Sequence, residues 1–225
     1  MSALLIFDWD GTLCDSLERI VQCLQLAARG QGLEPPGERA AREIVGLGLD
    51  EAMRVLFPDV DADGRERLRE DYSRHFRSLD ALPSPLFPRV RETLLELGDA
   101  GFILSVATGK SRAGLDRVLK ALDMTDFFHS SRCADETASK PDPLMLHALL
   151  EEHGLAAHQA LMVGDTTYDM AMAHKAGMPR LAVSYGAHAL ERLLAYEPLA
   201  HVDRFADIAP LVLNTDLRLF EGQLP

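Results

Sequence analysis

Short apolar runs alternate with amphipathic segments along most of this chain. The first run covers residues 3–7, and comparable runs follow at 102–107, 160–163 and 180–184, each ended by polar residues or glycine. A short apolar run with such flanks is typical of a strand that is buried on both faces. The pattern therefore predicts buried strands at these four places.

Segments with helical spacing lie between the apolar runs. They read RVRETLLELGDAG, RAGLDRVLKALDM, PLMLHALLEEHG and YDMAMAHKAG. Strands that alternate with helices pair in parallel, and the helices cover both faces of the sheet. The chain is therefore predicted to have an α/β fold with a doubly wound parallel sheet.

One region breaks this alternation. Between Asp15 and Leu82 the chain offers only helical patterns, and the proline-rich stretch LPSPLFP closes the region. We interpret it as a small all-helical cap domain inserted after the first strand, with the proline-rich stretch as its return linker. The predicted boundaries are 15–83 for the cap and 1–14 together with 84–225 for the core.

Composition and net charge limit the kinds of partner that such a protein can bind. The 225 residues are 47% hydrophobic, enough for a sizeable core, and 23 Lys and Arg against 35 Asp and Glu give a net charge of −12. A negative surface repels nucleic-acid phosphates and anionic membranes. We therefore expect no nucleic-acid partner and no membrane partner. The expected assembly is a monomer or a homodimer.

The cysteines and the N-terminal apolar run indicate the cellular compartment in which the protein is expected. Cys14, Cys23 and Cys133 are odd in number and show no C-x-x-C spacing, which suits a reducing environment. The run ALLIF is too short for a signal peptide, and no run approaches the length of a membrane span. The cytoplasm is the expected location.

Polar residues follow the predicted strands at the edge where such sheets bind ligands. Two carboxylates directly after a buried strand repel each other and lose hydration, and a divalent cation with oxygen ligands, such as Mg²⁺, would offset that cost. Lysine and hydroxyl groups beside it would balance the charge of a phosphoryl group. The set therefore indicates phosphoryl chemistry; its members are Asp8, Asp10, Thr108, Gly109, Lys110, Lys140, Asp165 and Asp169.

Four stretches in one order carry a family resemblance. DWDGTLCDS, SVATGKSR, the lysine of SKPDP and VGDTTYDM resemble motifs one to four of the haloacid dehalogenase-like (HAD) hydrolase superfamily. The resemblance runs from about residue 4 to about residue 205, and the helical insertion is similar to the C1-type cap of that family. It implies a Rossmann-like HAD core, and the overall pattern is most similar to phosphoglycolate phosphatases.

The resemblance implies roles for the carboxylates. Asp8 would be the nucleophile that forms an aspartyl-phosphate and also a Mg²⁺ ligand. Asp10 would be the general acid and base, with its backbone carbonyl on the metal. Asp165 would complete the metal site, and Asp169 would serve as a ligand or support one.

The resemblance also implies the groups that hold the substrate, a small phosphorylated metabolite. Lys140 would act in catalysis by neutralising Asp8 and would bind the transferring phosphate together with Thr108. Gly11 and Thr12 of the first motif are expected at the substrate as well. Many relatives have Asn after the motif-two threonine, whereas this chain has Gly109 and then Lys110, so backbone N–H groups or Lys110 would supply that contact.

Several alternatives stay open at this point. Within the family that the chain resembles, the presence of Asp10 implies phosphate ester hydrolysis. A phosphomutase similar to β-phosphoglucomutase, a pyrophosphatase and a non-enzymatic metal-binding interaction module remain rivals. Trp9 is expected in the core. The more conservative interpretation is that Asp15 and Ser16 cap the first helix of the insertion or act as its hinge, and that Ser111 caps the helix that follows it. The GLG at 46–48 is either a helix break or a specificity loop, and Arg54 shares that ambiguity.

Overall fold

Six parallel strands form one sheet in the order β3-β2-β1-β4-β5-β6. This computed structural model describes residues 3–78 and 83–214. The strand order reverses on either side of β1, so the doubly wound α/β prediction is confirmed. The strands are β1 (Leu4–Phe7), β2 (Ile103–Thr108), β3 (Ser130–Cys133), β4 (Ala160–Gly164), β5 (Arg180–Val183) and β6 (Ala200–Val202).

The central strand β1 places the residues that follow it between two neighbours. Phe7 is paired with Val106 of β2 on one side and with Val163 of β4 on the other. The carboxyl ends of parallel strands meet at one edge of a sheet. Asp8 therefore lies between the ends of β2 and β4.

Alternate side chains of β1 enter two hydrophobic clusters on opposite faces of the sheet. Leu5 and Phe7 belong to one cluster, and Leu4 and Ile6 to the other. Trp9 is fully buried in the first cluster, where its ring meets Phe128 edge-on at 6.5 Å, as predicted for a core residue. The core helices are α5 (Val90–Asp99), α6 (Arg112–Ala121), α7 (Leu144–His153), α8 (Thr167–Lys175), α9 (Leu190–Leu194) and α10 (Ile208–Asn214).

Four helices with their own hydrophobic cluster follow β1 in the described chain, and we refer to them as the cap. They are α1 (Leu17–Gly30), α2 (Glu38–Glu43), α3 (Leu49–Leu56) and α4 (Ala62–Ser78). All four lie within the predicted range 15–83, whose exact bounds stay a prediction. Residues 79–82, where the predicted linker begins, and 215–225 of the predicted core lie outside the described residues. No helix in the described part of the chain is long and apolar enough to cross a membrane.

Candidate active site

A buried lysine joins two of the predicted carboxylates. Lys140 donates from Nζ to Asp8 Oδ1 and to Asp169 Oδ1, both at 2.6 Å, and none of the three side chains is more than 1% exposed. Burial alone would lower the pKa of Lys140, but the charges of Asp169 and Asp8 outweigh it and raise that pKa above its ordinary value. Lys140 therefore stays charged and fixes the orientation of Asp8.

Hydrogen bonds from the loops after β1, β4 and β5 also hold Asp169 and Asp165. Asp169 Oδ2 accepts hydrogen bonds from the N–H of Thr166 at 3.1 Å and from its hydroxyl at 2.7 Å, a reciprocal cap at the start of α8. Asp165 accepts from Thr12 Oγ1 at 2.8 Å and from the N–H of Ala187 at 2.7 Å. Both carboxylates are fully buried and fixed in place.

Asp8, Asp165 and Asp169 form a cluster that can hold a cation. One carboxylate oxygen from each lies within 4.8 Å of the other two, and Asp8 Oδ2 is buried with no hydrogen-bond partner among the described residues. Burial raises the pKa of Asp8 well above its ordinary value and that of Asp165 to about 7, with Asp169 adding to both rises. When all three acids are ionised, the single positive charge of Lys140 balances only one of their three negative charges. The oxygen donors and the orphaned Asp8 oxygen fit a hard divalent cation such as Mg²⁺.

Gly11 and Thr12 contact Asp165 in this structure. The Thr12 hydroxyl is fully buried and donates to that carboxylate. A Cβ added to Gly11, which has a φ of +88°, would lie 2.2 Å from Asp165 Oδ2, and one on Gly186 would lie equally close to that carboxylate. These contacts orient Asp165, and a substrate contact by Gly11 or Thr12 stays a prediction.

Ser16 and Lys110 hold the carboxylate of Asp10. Ser16 Oγ donates to Asp10 Oδ1 at 2.5 Å, and Lys110 Nζ lies 3.0 Å from Asp10 Oδ2. Ser16 precedes α1, but its side chain makes no capping hydrogen bond there, so the capping alternative is wrong for that side chain. Asp10 takes that hydroxyl instead because both residues lie in the same tight loop after β1. Only the six-residue spacing of the pair within one motif hinted at this contact. A hinge at Ser16 stays a prediction.

The loop after β2 brings the second motif to the site. Thr108 is fully buried, and its hydroxyl accepts from the N–H of Lys110 at 3.2 Å. The Lys110 ammonium also lies 4.9 Å from the ring centroid of Phe76, a cap residue. Ser111 accepts from the N–H of Gly114 and caps α6, as predicted. Lys110 is thus a link between Asp10 and the cap.

The cap contacts the core directly at Gly109. A Cβ at Gly109 would lie 2.4 Å from the carbonyl oxygen of Leu47 and 2.6 Å from that of Gly46. The N–H of Gly48 donates to Ser139 Oγ at 2.8 Å. The GLG stretch therefore both separates α2 from α3 and packs on the core, while Arg54 lies exposed beside Glu51.

We expect Gly109→Ala to destabilise the protein by about 1–3 kcal/mol, the usual cost of overpacking. The added methyl meets two backbone oxygens, which cannot rotate away. Urea unfolding followed by circular dichroism measures the loss. Gly98→Ala is the control, because its Cβ would meet only Leu104 Cδ1 at 3.9 Å. An unchanged free energy of unfolding for Gly109→Ala would contradict this cap contact.

A second set of contacts between cap and core centres on Glu43, at the end of α2. Its carbonyl oxygen accepts from Tyr168 Oη at 2.9 Å and lies 3.3 Å from His188 Nε2, and its carboxylate binds Arg192 at 2.7 Å. His188 Nδ1 accepts from the N–H of Thr167 at 3.0 Å, so Nε2 carries the proton. This set was not predicted from the sequence, because Glu43 is more than 100 residues away from each of its three partners.

A cavity of about 120 Å³ lies between the cap and the carboxyl ends of the strands. Asp8 and Asp10 line its floor, and Gly109 and Lys110 line the core side. The cap contributes residues from α1, the 44–49 stretch, α3 and α4. The aspartates predicted to act in catalysis, Asp8 and Asp10, therefore face the same cavity.

Comparisons with known proteins agree with this arrangement. The sequence pattern of the family described as Haloacid dehalogenase-like hydrolase matches residues 5–183. The chain is 35% identical over 212 residues to "Probable phosphatase IndB" of Dickeya dadantii, covering 92% of each protein. It is 33% identical over 218 residues to the phosphoglycolate phosphatase of Vibrio cholerae, covering 93% of this chain and 96% of that protein.

Solved structures share the whole fold. A crystal structure described as a predicted phosphoglycolate phosphatase from Haemophilus somnus superposes with a TM-score of 0.86 at 26% identity, over 94% of this chain and 98% of that one. A β-phosphoglucomutase from Clostridium difficile gives a TM-score of 0.85 at 15% identity, over 99% and 100%. The second likeness concerns the fold alone, so the fold does not separate a phosphatase from a mutase.

Proposed function

Because this chain belongs to the haloacid dehalogenase-like hydrolase family, we propose that it is a Mg²⁺-dependent phosphatase that hydrolyses a small phosphomonoester through an aspartyl-phosphate on Asp8. The chain is a hydrolase of this family, and curated relatives that cover more than nine-tenths of it are named phosphatases. One observation carries the finer proposal. Asp8 and Asp10 line the same cavity beneath the cap, with Lys140 bound to Asp8.

In the first step we propose that Asp8 attacks the substrate's phosphorus. A bond forms between a carboxylate oxygen of Asp8 and phosphorus, and the bond from phosphorus to the ester oxygen breaks. Lys140 holds Asp8 at 2.6 Å and brings a positive charge to the site of transfer. Thr108, buried at the end of β2, is proposed to contact the phosphoryl group together with Lys140.

Asp10 is the proposed general acid and base. It donates a proton to the departing alcohol and then accepts one from the water that attacks the aspartyl-phosphate. Ser16 and Lys110 each hold one oxygen of its carboxylate, so the group is oriented before the substrate arrives. Lys110 and the N–H groups beside Gly109 are the proposed further contacts to the phosphate.

Asp8, Asp165, Asp169 and the backbone carbonyl of Asp10 would hold the Mg²⁺. When bound, the ion would neutralise charge on the phosphoryl oxygens. Asp169 already accepts from Lys140 and Thr166 with both oxygens, whereas Asp8 Oδ2 has no partner in the described chain. The ion would therefore give Asp8 Oδ2 the partner that it lacks among the described residues.

The position of the site between the cap and the core supports a small substrate. The cap packs on the core at Gly109 and at Glu43, which leaves little room for a polymer above Asp8. The net charge of −12 means that the protein surface does not attract a nucleic acid electrostatically. The three cysteines are free and buried, and the cytoplasm remains our proposed location.

We expect a chelator to abolish phosphatase activity and Mg²⁺ to restore it. Ca²⁺ should inhibit, because its larger and looser oxygen shell suits an in-line displacement poorly. Release of inorganic phosphate from an aryl phosphate measures all three effects. Full activity in excess chelator would contradict the metal assignment.

A substrate panel separates the proposal from its rivals. Phosphate release from small phosphomonoesters supports the phosphatase, whereas isomerisation of a sugar phosphate without phosphate release would indicate a mutase. Preference for pyrophosphate would indicate a pyrophosphatase. An interaction module would turn over none of these compounds.

A further inference from the structure

The wall that the cap turns toward the cavity is uncharged. Among the described residues, every side chain that the cap contributes there is apolar, aromatic or hydroxyl-bearing. Tyr72 and Ser73 supply the hydroxyls. The principal apolar contributors are Ile20, Leu24, Ile44, Leu49 and Phe76. The part of a substrate that lies away from Asp8 therefore meets hydrocarbon and aromatic surface.

The charges that line the cavity all come from the core. They are Asp8, Asp10, Lys110 and Arg117. Lys110 lies 3.0 Å from Asp10 and also faces the ring of Phe76. The two cations that line the cavity already have partners: Lys110 pairs with Asp10, and Arg117 donates to the carbonyl oxygen of Ala113 at 3.4 Å. A carboxylate on the substrate's leaving group would have to compete for them while sharing the space with two aspartates, and burying an anion on those terms is disfavoured.

The size of the cavity limits the leaving group to about one ring. Its volume of about 120 Å³ includes the space beside Asp8 and Asp10 that the phosphoryl group would take. What remains is smaller than an apolar protein cavity of about 150 Å³ that binds benzene. The rings of Tyr72 and Phe76 lie 5.7 Å apart at 38° and form an aromatic pair on α4. Aromatic walls of this kind favour planar apolar groups.

We infer that the leaving alcohol of the substrate is uncharged and largely apolar, about one ring in size, and is not a carboxylate-bearing alcohol such as glycolate. This inference rests on the proposed phosphatase function and specifies its substrate class. The cap wall selects the alcohol by burying it, while the core holds the phosphate.

Benzyl phosphate and phosphoglycolate test the inference, because both carry a CH₂–O–P group and differ in a phenyl ring against a carboxylate. We expect kcat/KM for benzyl phosphate to exceed that for phosphoglycolate by about tenfold or more. Equal values, or a preference for phosphoglycolate, would overturn the inference. Loss of a phosphoglycolate preference in Arg117→Met would then identify Arg117 as the carboxylate's partner.

A cation placed on the cap wall should reverse the preference. We expect Leu49→Lys to lower kcat/KM for benzyl phosphate and to raise it for phosphoglycolate, each by about tenfold. Val55→Lys is the matched control on the same helix, because Val55 is 53% exposed and does not line the cavity. An unchanged ratio in a Leu49→Lys protein of normal melting temperature would contradict the inference. Ser73→Lys takes its place if Leu49→Lys fails to fold.

A binding measurement separates this inference from the proposed function. 2-Phenylethylphosphonate and 3-phosphonopropionate replace the ester oxygen of the two substrates with CH₂ and cannot be hydrolysed at that bond. Tighter calorimetric binding of the phenyl compound supports the apolar pocket even if no phosphate ester is turned over, in which case only the phosphatase proposal fails. Equal or weaker binding of the phenyl compound overturns the inference whether or not the protein is a phosphatase.

Discussion

Asp8→Asn is expected to lower kcat by about 10⁴-fold or more, the scale seen when a covalent nucleophile is removed from a hydrolase. An amide does not attack phosphorus, and it removes an anionic oxygen from the Asp8, Asp165 and Asp169 cluster. Steady-state turnover of an aryl phosphate measures the loss. Asp15→Asn is the matched control, because Asp15 lies in the same loop but is exposed to solvent.

The fold should survive this substitution. Burial and the neighbouring carboxylates raise the pKa of Asp8, so folding favours its neutral form and the ionised carboxylate costs stability at neutral pH. Asparagine is neutral at every pH and avoids that cost. We expect the melting temperature in chelator to equal or exceed that of the wild type, and the stabilisation by Mg²⁺ to shrink. Wild-type turnover would falsify the nucleophile assignment, and an unfolded variant would contradict the electrostatic account.

Asp10→Asn is expected to lower kcat by about 10²–10⁴-fold while leaving phosphoryl transfer to Asp8 intact for a substrate with a good leaving group. An aryl phosphate needs no proton on its departing oxygen, so only the second step loses its general base. The phosphorylated protein should therefore accumulate and give a burst of the aryl alcohol. Rapid mixing and intact-protein mass spectrometry detect both signals.

Two further variants serve as controls for the Asp10→Asn experiment. The Asp8→Asn, Asp10→Asn double variant should show neither burst nor phosphorylated protein, because it lacks the nucleophile. Ser16→Ala removes one of the two groups that hold the Asp10 carboxylate and should slow turnover less than Asp10→Asn does. A slow Asp10→Asn enzyme that never accumulates phosphorylated protein would place Asp10 outside the second step.

The sequence predicted the central strands of the sheet, but it did not predict the two edge strands, β3 and β6. Strand β1 consists of four apolar residues, all of them buried, so its apolar run indicates a strand in the interior of the sheet. β3 reads SSRC and β6 reads AHV, and both are edge strands of the sheet. An edge strand buries fewer side chains, so its sequence carries a weaker apolar signal.

Some residues of the candidate site were also predicted from the sequence, and others were not. Asp8, Asp10 and Asp165 stood out because each carboxylate follows a buried strand within a short motif. The contacts of Ser16 with Asp10, and of Gly186 with Asp165, had no comparable signal. A hydroxyl or a glycine is common in loops, and only its position in space distinguishes it from a turn residue.

The sequence by itself determined the α/β core, the helical insertion and the convergence of three acids at one sheet edge. Local periodicity and strand ends are properties of neighbouring residues, so they can be read along the chain. Tertiary structure decided how Glu43 and Gly109 join cap to core and which side chains of α1, α3 and α4 form the cavity wall. Those contacts join residues far apart in sequence, and their pairing depends on how two separately packed hydrophobic clusters dock.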